Sequence, residues 1–235
     1  MNYCILNGMS SRLVDGLIIQ ELPPVSKPLM RTEIIQIDGR DGDIVNKLGY
    51  SAYEKEMKIG LSWNWDIDDV ISYFASEGQV TFSNEPDKYY RYQILEQIDF
   101  ERLVRFRQAT VTFHVQPYKF SIVDQPLVKE FEETDEKTMT IGSFGNTIAK
   151  PQITITGSGN IVLTLNGAEV FTIALGDTEY ITIDAEKMEA SQGGILRNRL
   201  VTGNYDNFVL QVGSNILTWT GNIEQISISN YSRWI

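Results

Sequence analysis

Residues that could carry out chemistry are few in this chain of 235 residues, and they stand apart from one another. His114 is the only histidine and Cys4 the only cysteine, so one chain cannot assemble a three-histidine zinc site or a serine-histidine-aspartate triad. Cys4 stands in an apolar stretch, which predicts a small core residue and not a nucleophile. His114 lies on the polar side of an alternating strand, so we interpret it as an exposed or interface residue. These residues give no reason to predict an enzyme.

Three stretches could hold an ion or a phosphate, and each has a simpler interpretation. Residues 38–43 read Asp-Gly-Arg-Asp-Gly-Asp, but Arg40 interrupts the ligand series and no EF-hand glutamate follows, which favours a tight turn over calcium. The acidic residues 130–136 have no histidine near them and indicate a solvated linker or loop. Gly-Ser-Gly at residues 157–159 lacks the lysine and helix of a phosphate loop and predicts a hairpin turn. We therefore predict no metal and no cofactor.

The charge of the chain argues against one class of partner. Twenty basic residues face 31 acidic ones, a net charge of −11, whereas nucleic-acid binders gain affinity from lysine and arginine. No apolar run approaches the roughly 18 residues of a membrane span, and no charged start precedes an apolar segment. We expect a soluble protein with no secretory signal, no membrane insertion and no tight binding to DNA or RNA.

The stretch around which the first half is organised is residues 103–120, where apolar and polar residues alternate. The alternation changes parity once, which predicts a β-bulge near Arg107 and Gln108 in one long strand. Pro117 is expected to end that strand because it has no N–H to donate. The strand should pair with a preceding one at residues 89–98 to make a long antiparallel pair.

A further strand and one helix are predicted earlier in this half. Residues 53–65 alternate so that Trp63 and Trp65 share the inner face. Two tryptophans on one face could stack on a sugar, but core filling plus an edge that meets a neighbouring subunit is favoured because polar sugar ligands are lacking. A single helix is predicted at residues 66–76, with Asp66 as its N-cap.

The composition changes after residue 126, towards Thr, Ile, Asn, Gly and Val in short runs between turns. Seven short strands and no helix are typical of a β-sandwich; the runs are residues 152–156, 160–165, 170–174, 179–184, 208–212, 216–220 and 225–229. The sequence thus predicts a mainly β protein of two domains. Residues 1–126 form a β-sandwich-like domain with one helix, and residues 127–235 form a second β-sandwich.

Several motifs spread over nearly the whole chain belong together. They are Ile-Gln-Ile-Asp-Gly-Arg-Asp-Gly at residues 35–42, one helix after a long strand, Val-Gln-Pro-Tyr-Lys-Phe at residues 115–120, and a C-terminal sandwich that closes with Leu-Gln-Val-Gly-Ser-Asn at residues 210–215 and Ser-Arg-Trp at residues 232–234. With these motifs the chain resembles the distal tail (Dit) proteins of long-tailed, siphovirus-type phages that infect Gram-positive bacteria.

This resemblance implies a structural role in a virion. Such proteins form a homohexameric ring at the distal end of the tail, in which the N-terminal domains build the annulus, a long hairpin reaches each neighbour, and galectin-like C-terminal domains project outward. The implied partners are the major tail tube protein, the tail-associated tip protein and receptor-binding or other baseplate proteins, while genomic DNA passes the channel without specific binding. The residues expected in subunit interfaces or family motifs are Gly39, Arg40, Asp41, Gly42, Trp63, Trp65, His114, Pro117 and Tyr118.

The galectin-like resemblance raises an alternative function, a carbohydrate-binding module that contacts host cell-wall polysaccharide. The candidate contacts are Arg197, Arg199 and Trp219. Galectins carry a His-x-Asn-x-Arg strand and a nearby Trp-x-x-Glu. Here the stretch Leu-Arg-Asn-Arg at residues 196–199 has no histidine, and Asn222 stands where the glutamate would follow Trp219. We therefore favour a docking arm for other baseplate proteins over a sugar site.

Overall fold

The computed structural model describes residues 1–123, 125–132, 135–176 and 180–235. The chain is mainly β, as predicted, and divides into two compact units, Met1–Ile122 with Ile235, and Val123–Trp234. The predicted start of a strand at residue 179 and the middle of the predicted linker, residues 133–134, lie outside the described residues.

The first unit contains a seven-stranded antiparallel sheet, a separate hairpin and two short helices. The sheet order is β2-β1-β7-β8-β9-β6-β3, and β4 pairs only with β5. The elements are β1 Cys4–Leu6, β2 Met9–Ser10, β3 Leu17–Glu21, β4 Met30–Gln36, β5 Asp43–Tyr50, β6 Tyr53–Leu61, α1 Ile67–Tyr73, β7 Glu77–Phe82, β8 Lys88–Gln93, α2 Phe100–Phe106 and β9 Gln108–Ser121.

One apolar core lies against this sheet. Met57 and Ile59 on β6 alternate with exposed residues and are fully buried, as the alternation predicted. Asp66 caps α1 by accepting a hydrogen bond from the backbone N–H of Asp68, which confirms the predicted N-cap. Cys4 is also fully buried, and burial raises the pKa of its thiol to about 11, so it behaves as the small core residue that the sequence indicated.

The prediction of one strand over residues 103–120 with a bulge at Arg107 is wrong. Residues 100–106 form α2, Asp99 caps it, and Arg107 takes the left-handed conformation with φ 59° before β9 starts. The change of parity therefore marks the end of a helix and not an inserted residue. For the same reason the first unit has two helices where the sequence predicted one.

Pro117 does not end the strand, because β9 continues to Ser121. Tyr90 pairs with Lys119 and Tyr92 with Val115, so three residues of β9 face one residue of β8. Pro117 is the middle one of the three. A bulge leaves residues outside the ladder, and a proline that has no N–H to donate is tolerated there.

The second unit is built from nine strands in one hydrogen-bonded sheet. They are β10 Leu127–Glu130, β11 Thr138–Ser143, β12 Gln152–Leu165, β13 Ala168–Gly176, β14 Tyr180–Asp184, β15 Glu189–Gln192, β16 Ile195–Leu196, β17 Val201–Gly203 and β18 Gly213–Ser229. One path through the sheet runs β10-β18-β12-β14-β15-β16. Off this path, β11 pairs with the other end of β18, β13 pairs with the other end of β12, and β17 pairs with β13.

Two long strands fold this sheet around a single core. The register between β12 and β18 shifts at Gly157 and again before Val162. The two strands bend there, so their first and second halves belong to different halves of the sandwich. Ile153 from one half and Leu163 from the other are both fully buried in the same cluster.

Three predictions for this unit need correction. Residues 152–165 and 213–229 are each one bent strand where two shorter strands were predicted, because the intervening glycines sit in bends and not in chain-reversing turns. Residues 208–212 form no strand and contribute only an isolated bridge between Leu210 and Ala149. Glu130, the first residue of the predicted linker, belongs to β10, which pairs with β18 over residues 225–228.

Candidate assembly surfaces

The hairpin of β4 and β5 is the most exposed element of the first unit. Ile34 faces Val45 on one side of the hairpin and Ile35 faces Ile44 on the other. Ile34 and Val45 are 59% and 53% exposed. An isolated two-stranded hairpin is at best marginally stable in water, and a long apolar edge invites pairing. Such an element gains stability when another surface covers its apolar side chains.

The tip of the hairpin is the Asp-Gly-Arg-Asp-Gly turn. Gly39 and Gly42 have φ of 82° and 79°, the left-handed conformation that glycine tolerates best. The backbone N–H of Arg40 donates to the carbonyl of Ile37 at 3.1 Å. The predicted turn is confirmed, and it places the side chains of Arg40 and Asp41 at the exposed end of the hairpin.

A buried polar network fixes the chain that leads into the hairpin. Lys55 on β6 donates from Nζ to the carbonyl of Pro24 at 2.7 Å, and Asn84 donates from Nδ2 to the carbonyl of Pro23 at 2.9 Å. Lys119 on β9 forms an ion pair of 2.7 Å with Glu85. These contacts hold the connection between β3 and β4 against the sheet, so they set where the hairpin begins.

Burial changes the titration of this network. The pKa of Lys55 is lowered to about 8, mainly because burial disfavours the charged ammonium. The nearby Glu85 carboxylate opposes this shift, and the positive charge of Lys119 adds to it. Burial alone would raise the pKa of Glu85, but hydrogen bonds from Lys119 and Tyr90 outweigh it and lower that pKa. Glu85 is thus held ionised by its donors.

Sequence reasoning missed these network residues. The signal was present in β6, where Lys55 shares the parity of Tyr53, Met57 and Ile59 and so had to face the core. A lysine on an apolar face needs a buried acceptor, which here is the carbonyl of Pro24.

A second exposed apolar surface lies at the opposite end of β6. Leu17 pairs with Leu61, and Gly60 pairs with Gln108, so the loops before β3, after β6 and before β9 meet at one end of the sheet. Large side chains are exposed on these loops; we call the set Leu13, Trp63 and Phe106 the apolar end. Trp63 is 89% exposed and Phe106 is 72% exposed.

The alternation predicted that Trp63 and Trp65 share the inner face of a strand, and this prediction is wrong. β6 ends at Leu61, and Asn64 takes a left-handed conformation with φ 58°. Trp65 is half-buried with the Arg107 guanidinium 5.0 Å from its ring centre, whereas Trp63 points into solvent. The break after Leu61 separates a packing residue from an exposed one.

The remaining candidate interface residues lie away from the apolar end. His114 is half-buried on β9 between Glu54 on β6 and Gln93 on β8, so it belongs to an inner strand and not to an edge. Pro117 lies in the bulge described above. The Tyr118 ring lies 6.1 Å from that of Tyr50, at the base of the hairpin. The structure therefore distributes the candidates between the hairpin, its base and the apolar end.

The three candidate sugar contacts are not brought together as one site. Arg197 and Arg199 are exposed and line an open cavity of about 580 Å³. Trp219 is 5% exposed, and its ring packs edge-on against Phe131 at 4.6 Å, so no sugar can stack on it. The prediction for Trp219 is wrong because its strand directs the ring into the core.

Within residues 1–123, 125–132, 135–176 and 180–235, no group of three histidine, cysteine, aspartate or glutamate side chains could hold a metal ion. In the same part of the chain, every helix is too short or too polar to cross a membrane.

No protein-family model and no curated protein sequence matches the chain, but solved structures share its fold. The SPP1 Dit (gp 19.1) protein, presented as a paradigm of the hub adsorption apparatus in phages that infect Gram-positive bacteria, matches with a TM-score of 0.66 and 13% identity over 100% of both chains. A chain of the phage P2 baseplate, in its activated conformation with Ca, matches with a TM-score of 0.55 and 9% identity, and the match covers 100% of this chain and 98% of that one. The corresponding baseplate structure with Sr matches with a TM-score of 0.51 and 10% identity, and the match covers 97% of this chain and 98% of that one. The predicted resemblance is confirmed at the level of the fold, over essentially the whole chain.

Proposed function

We propose that this protein is a structural hub of a phage tail, a homohexameric ring at the distal end of the tail tube. The observation that carries the proposal is the hairpin of β4 and β5, whose Ile34–Val45 pair is exposed on one face and whose Ile35 is exposed on the other. The likeness to a hub adsorption protein over 100% of both chains supports the same role. The role is structural and requires no catalytic group.

A ring needs two different surfaces on each copy, because a head-to-tail contact repeats until it closes. The hairpin leaves the sheet at the Tyr53 end of β6, and the apolar end lies beyond Leu61. Nine residues of strand separate them by about 30 Å. The hairpin of one copy therefore covers the apolar end of the next, and each copy both gives and receives one contact.

The other partners follow from this placement. The ring joins the major tail tube protein on one side and the tail-associated tip protein on the other, and the C-terminal units carry receptor-binding or other baseplate proteins. A central channel lined by acidic copies lets genomic DNA pass without retaining it, since each chain has a net charge of −11. The protein accordingly resides in the virion.

Native mass tests the ring directly. Light scattering on the purified chain should give a hexamer, and the double substitution Ile34→Glu with Val45→Glu should give monomers. The reason is that two carboxylates would be buried without partners in the contact. The circular dichroism spectrum of the variant monomer should keep its β-sheet signal, because both side chains are exposed in one copy.

The matched control is Ile216→Glu, an equally exposed isoleucine on a strand of the second unit. It should leave the hexamer intact. A wild-type chain that stays monomeric at every concentration would refute the hub.

A further inference from the structure

The second unit has a basic corner at one edge of its sheet, and none of the contacts described so far uses it. The corner consists of Ile195, Leu196, Arg197 and Arg199, at and just after the edge strand β16. All four side chains are exposed, and both arginines line the cavity of about 580 Å³. An edge strand with exposed apolar residues, followed directly by two exposed arginines, is typical of a protein contact.

The two arginines carry free charge in a protein that is otherwise acidic. Within the described part of the chain, no carboxylate forms an ion pair with Arg197 or Arg199. Glu189, on the neighbouring strand β15, lies 3.6 Å from Lys187. The backbone of the corner is fixed, since Asn198 accepts the Ala190 N–H at 2.7 Å and the Arg197 N–H donates to Ala190. The corner is thus a preformed basic surface.

The complementary surface lies on the opposite edge of the same sheet. β10 is the first strand of the path on which β16 is the last, five strand spacings or about 24 Å along the sheet. An open cavity of about 740 Å³ lies beside β10, and among the described residues that line it four are acidic and none is basic. We call Glu130, Glu132, Asp135 and Glu224 the acidic recess.

The carboxylates of the acidic recess lack a cation partner within the described residues. Their contacts are to neutral donors, such as Gln225 Nε2 to Glu130 at 3.3 Å and the Glu132 N–H to Asp135 at 2.8 Å. The two lysines closest in sequence are engaged elsewhere: Lys129 lies over the Phe131 ring, and Lys137 donates to the carbonyl of Gly221.

Val128 on β10 is exposed and gives this edge an apolar residue of its own. The two edges therefore match in charge and in apolar character.

We propose that the basic corner of one copy docks into the acidic recess of the C-terminal unit of the next copy, as a second head-to-tail contact between neighbours. The inference rests on the proposed ring, because only in a closed ring does the basic corner of every copy meet the acidic recess of a neighbouring copy. Guanidinium groups suit this role since they bind carboxylates through two parallel hydrogen bonds.

Disulfide trapping in the full chain tests the contact. A variant with both Arg199→Cys and Glu132→Cys should form covalent dimers and larger species, up to the size of the ring, on a non-reducing gel. Each single cysteine variant is the control and should stay monomeric on that gel, because the native Cys4 is buried. A cross-link that runs at the monomer mass would join the two edges of one copy and overturn the proposal.

Charge reversal gives an independent measurement. The pair Arg197→Glu with Arg199→Glu should raise the chain concentration for half-assembly about tenfold, as should Glu132→Arg with Glu224→Arg. All four changes in one chain should restore the wild-type value, because the complementary charges are then exchanged.

The outcomes separate this inference from the proposed function. A wild-type hexamer that neither cross-links nor responds to the charge changes would overturn the second contact and leave the hub intact, whereas a monomeric wild type removes the hub itself. If the arginine variant assembled normally but lost retention on a polyphosphate resin, the corner would be a site for an anionic polymer and the proposed contact would be wrong.

Discussion

At the scale of single residues, Lys55 shows how a charge can be placed in a core to position a surface element. Its side chain is buried, its ammonium is 4.9 Å from the centre of the Tyr90 ring, and its hydrogen bond goes to the connection that leads to the hairpin. Breaking such a contact leaves a buried acceptor without a donor, while an apolar replacement also removes the desolvation cost.

The depressed pKa of Lys55, about 8, predicts a pH-dependent stability. Between that value and the ordinary lysine value, the unfolded chain binds a proton that the folded chain has released, so this group favours folding more as the pH rises. Relative to Lys55→Met, whose side chain does not titrate, the free energy of unfolding of the wild type should therefore rise by about 2 kcal/mol between pH 8 and pH 10. Urea unfolding of both proteins at one fixed chain concentration measures this difference.

Lys27→Met is the matched control, because Lys27 is exposed and outside the network. Its effect should stay within about 0.5 kcal/mol at every pH. Glu85 also faces Lys55, but its pKa is lowered by the hydrogen bonds from Lys119 and Tyr90, so it stays ionised in this range and does not produce the trend. A constant difference between Lys55→Met and wild type would show that the pKa of Lys55 is not depressed in the folded protein.

At the scale of elements, the sequence predicted what local patterns encode. The alternation of residues in β6 predicted which of its side chains are buried, and Asp66 predicted where α1 begins. Both features depend on residues that are close together in the chain. α2 was missed because its residues also fit a strand alternation, and the end of β6 at Leu61 depends on the left-handed turn at Asn64.

The surfaces were harder to predict than the strands. The turn at Gly39 and Gly42 was readable from the sequence, but the burial of Trp219 depends on Phe131, nearly 90 residues away in the chain. The basic corner and the acidic recess become opposite edges only through the strand order, which the sequence alone did not reveal.

The bend shared by β12 and β18 makes a prediction at the same scale. Gly221 has φ of 91°, and a Cβ there would lie 2.3 Å from the backbone oxygen of Asn160. Gly159 in the same bend has φ of 75° and open space around it. Alanine at position 159 should cost about 1–2 kcal/mol for the backbone conformation alone. Gly221→Ala should cost a further 1–3 kcal/mol, roughly, for the clash.

Urea unfolding of the two variants checks this comparison, with a crystal structure or backbone chemical shifts to confirm that the fold is kept. Equal losses at the two positions would mean that the strands can move apart at the bend, and that close approach of the backbones does not hold it.

At the scale of the whole molecule, net charge predicts how the assembled protein treats DNA. Every copy contributes a charge of −11, so counterion release cannot favour DNA binding. In a gel-shift experiment at physiological ionic strength, the assembled protein should not retard double-stranded DNA. A retarded band that weakens with added salt would instead reveal a basic channel and contradict the passive passage proposed above.

The long strands β12 and β18 have one more consequence. Each crosses the bend and pairs in both halves of the sandwich, so neither half can open while the other keeps its hydrogen bonds in register. The second unit should therefore unfold as a single cooperative block and resist being pulled apart.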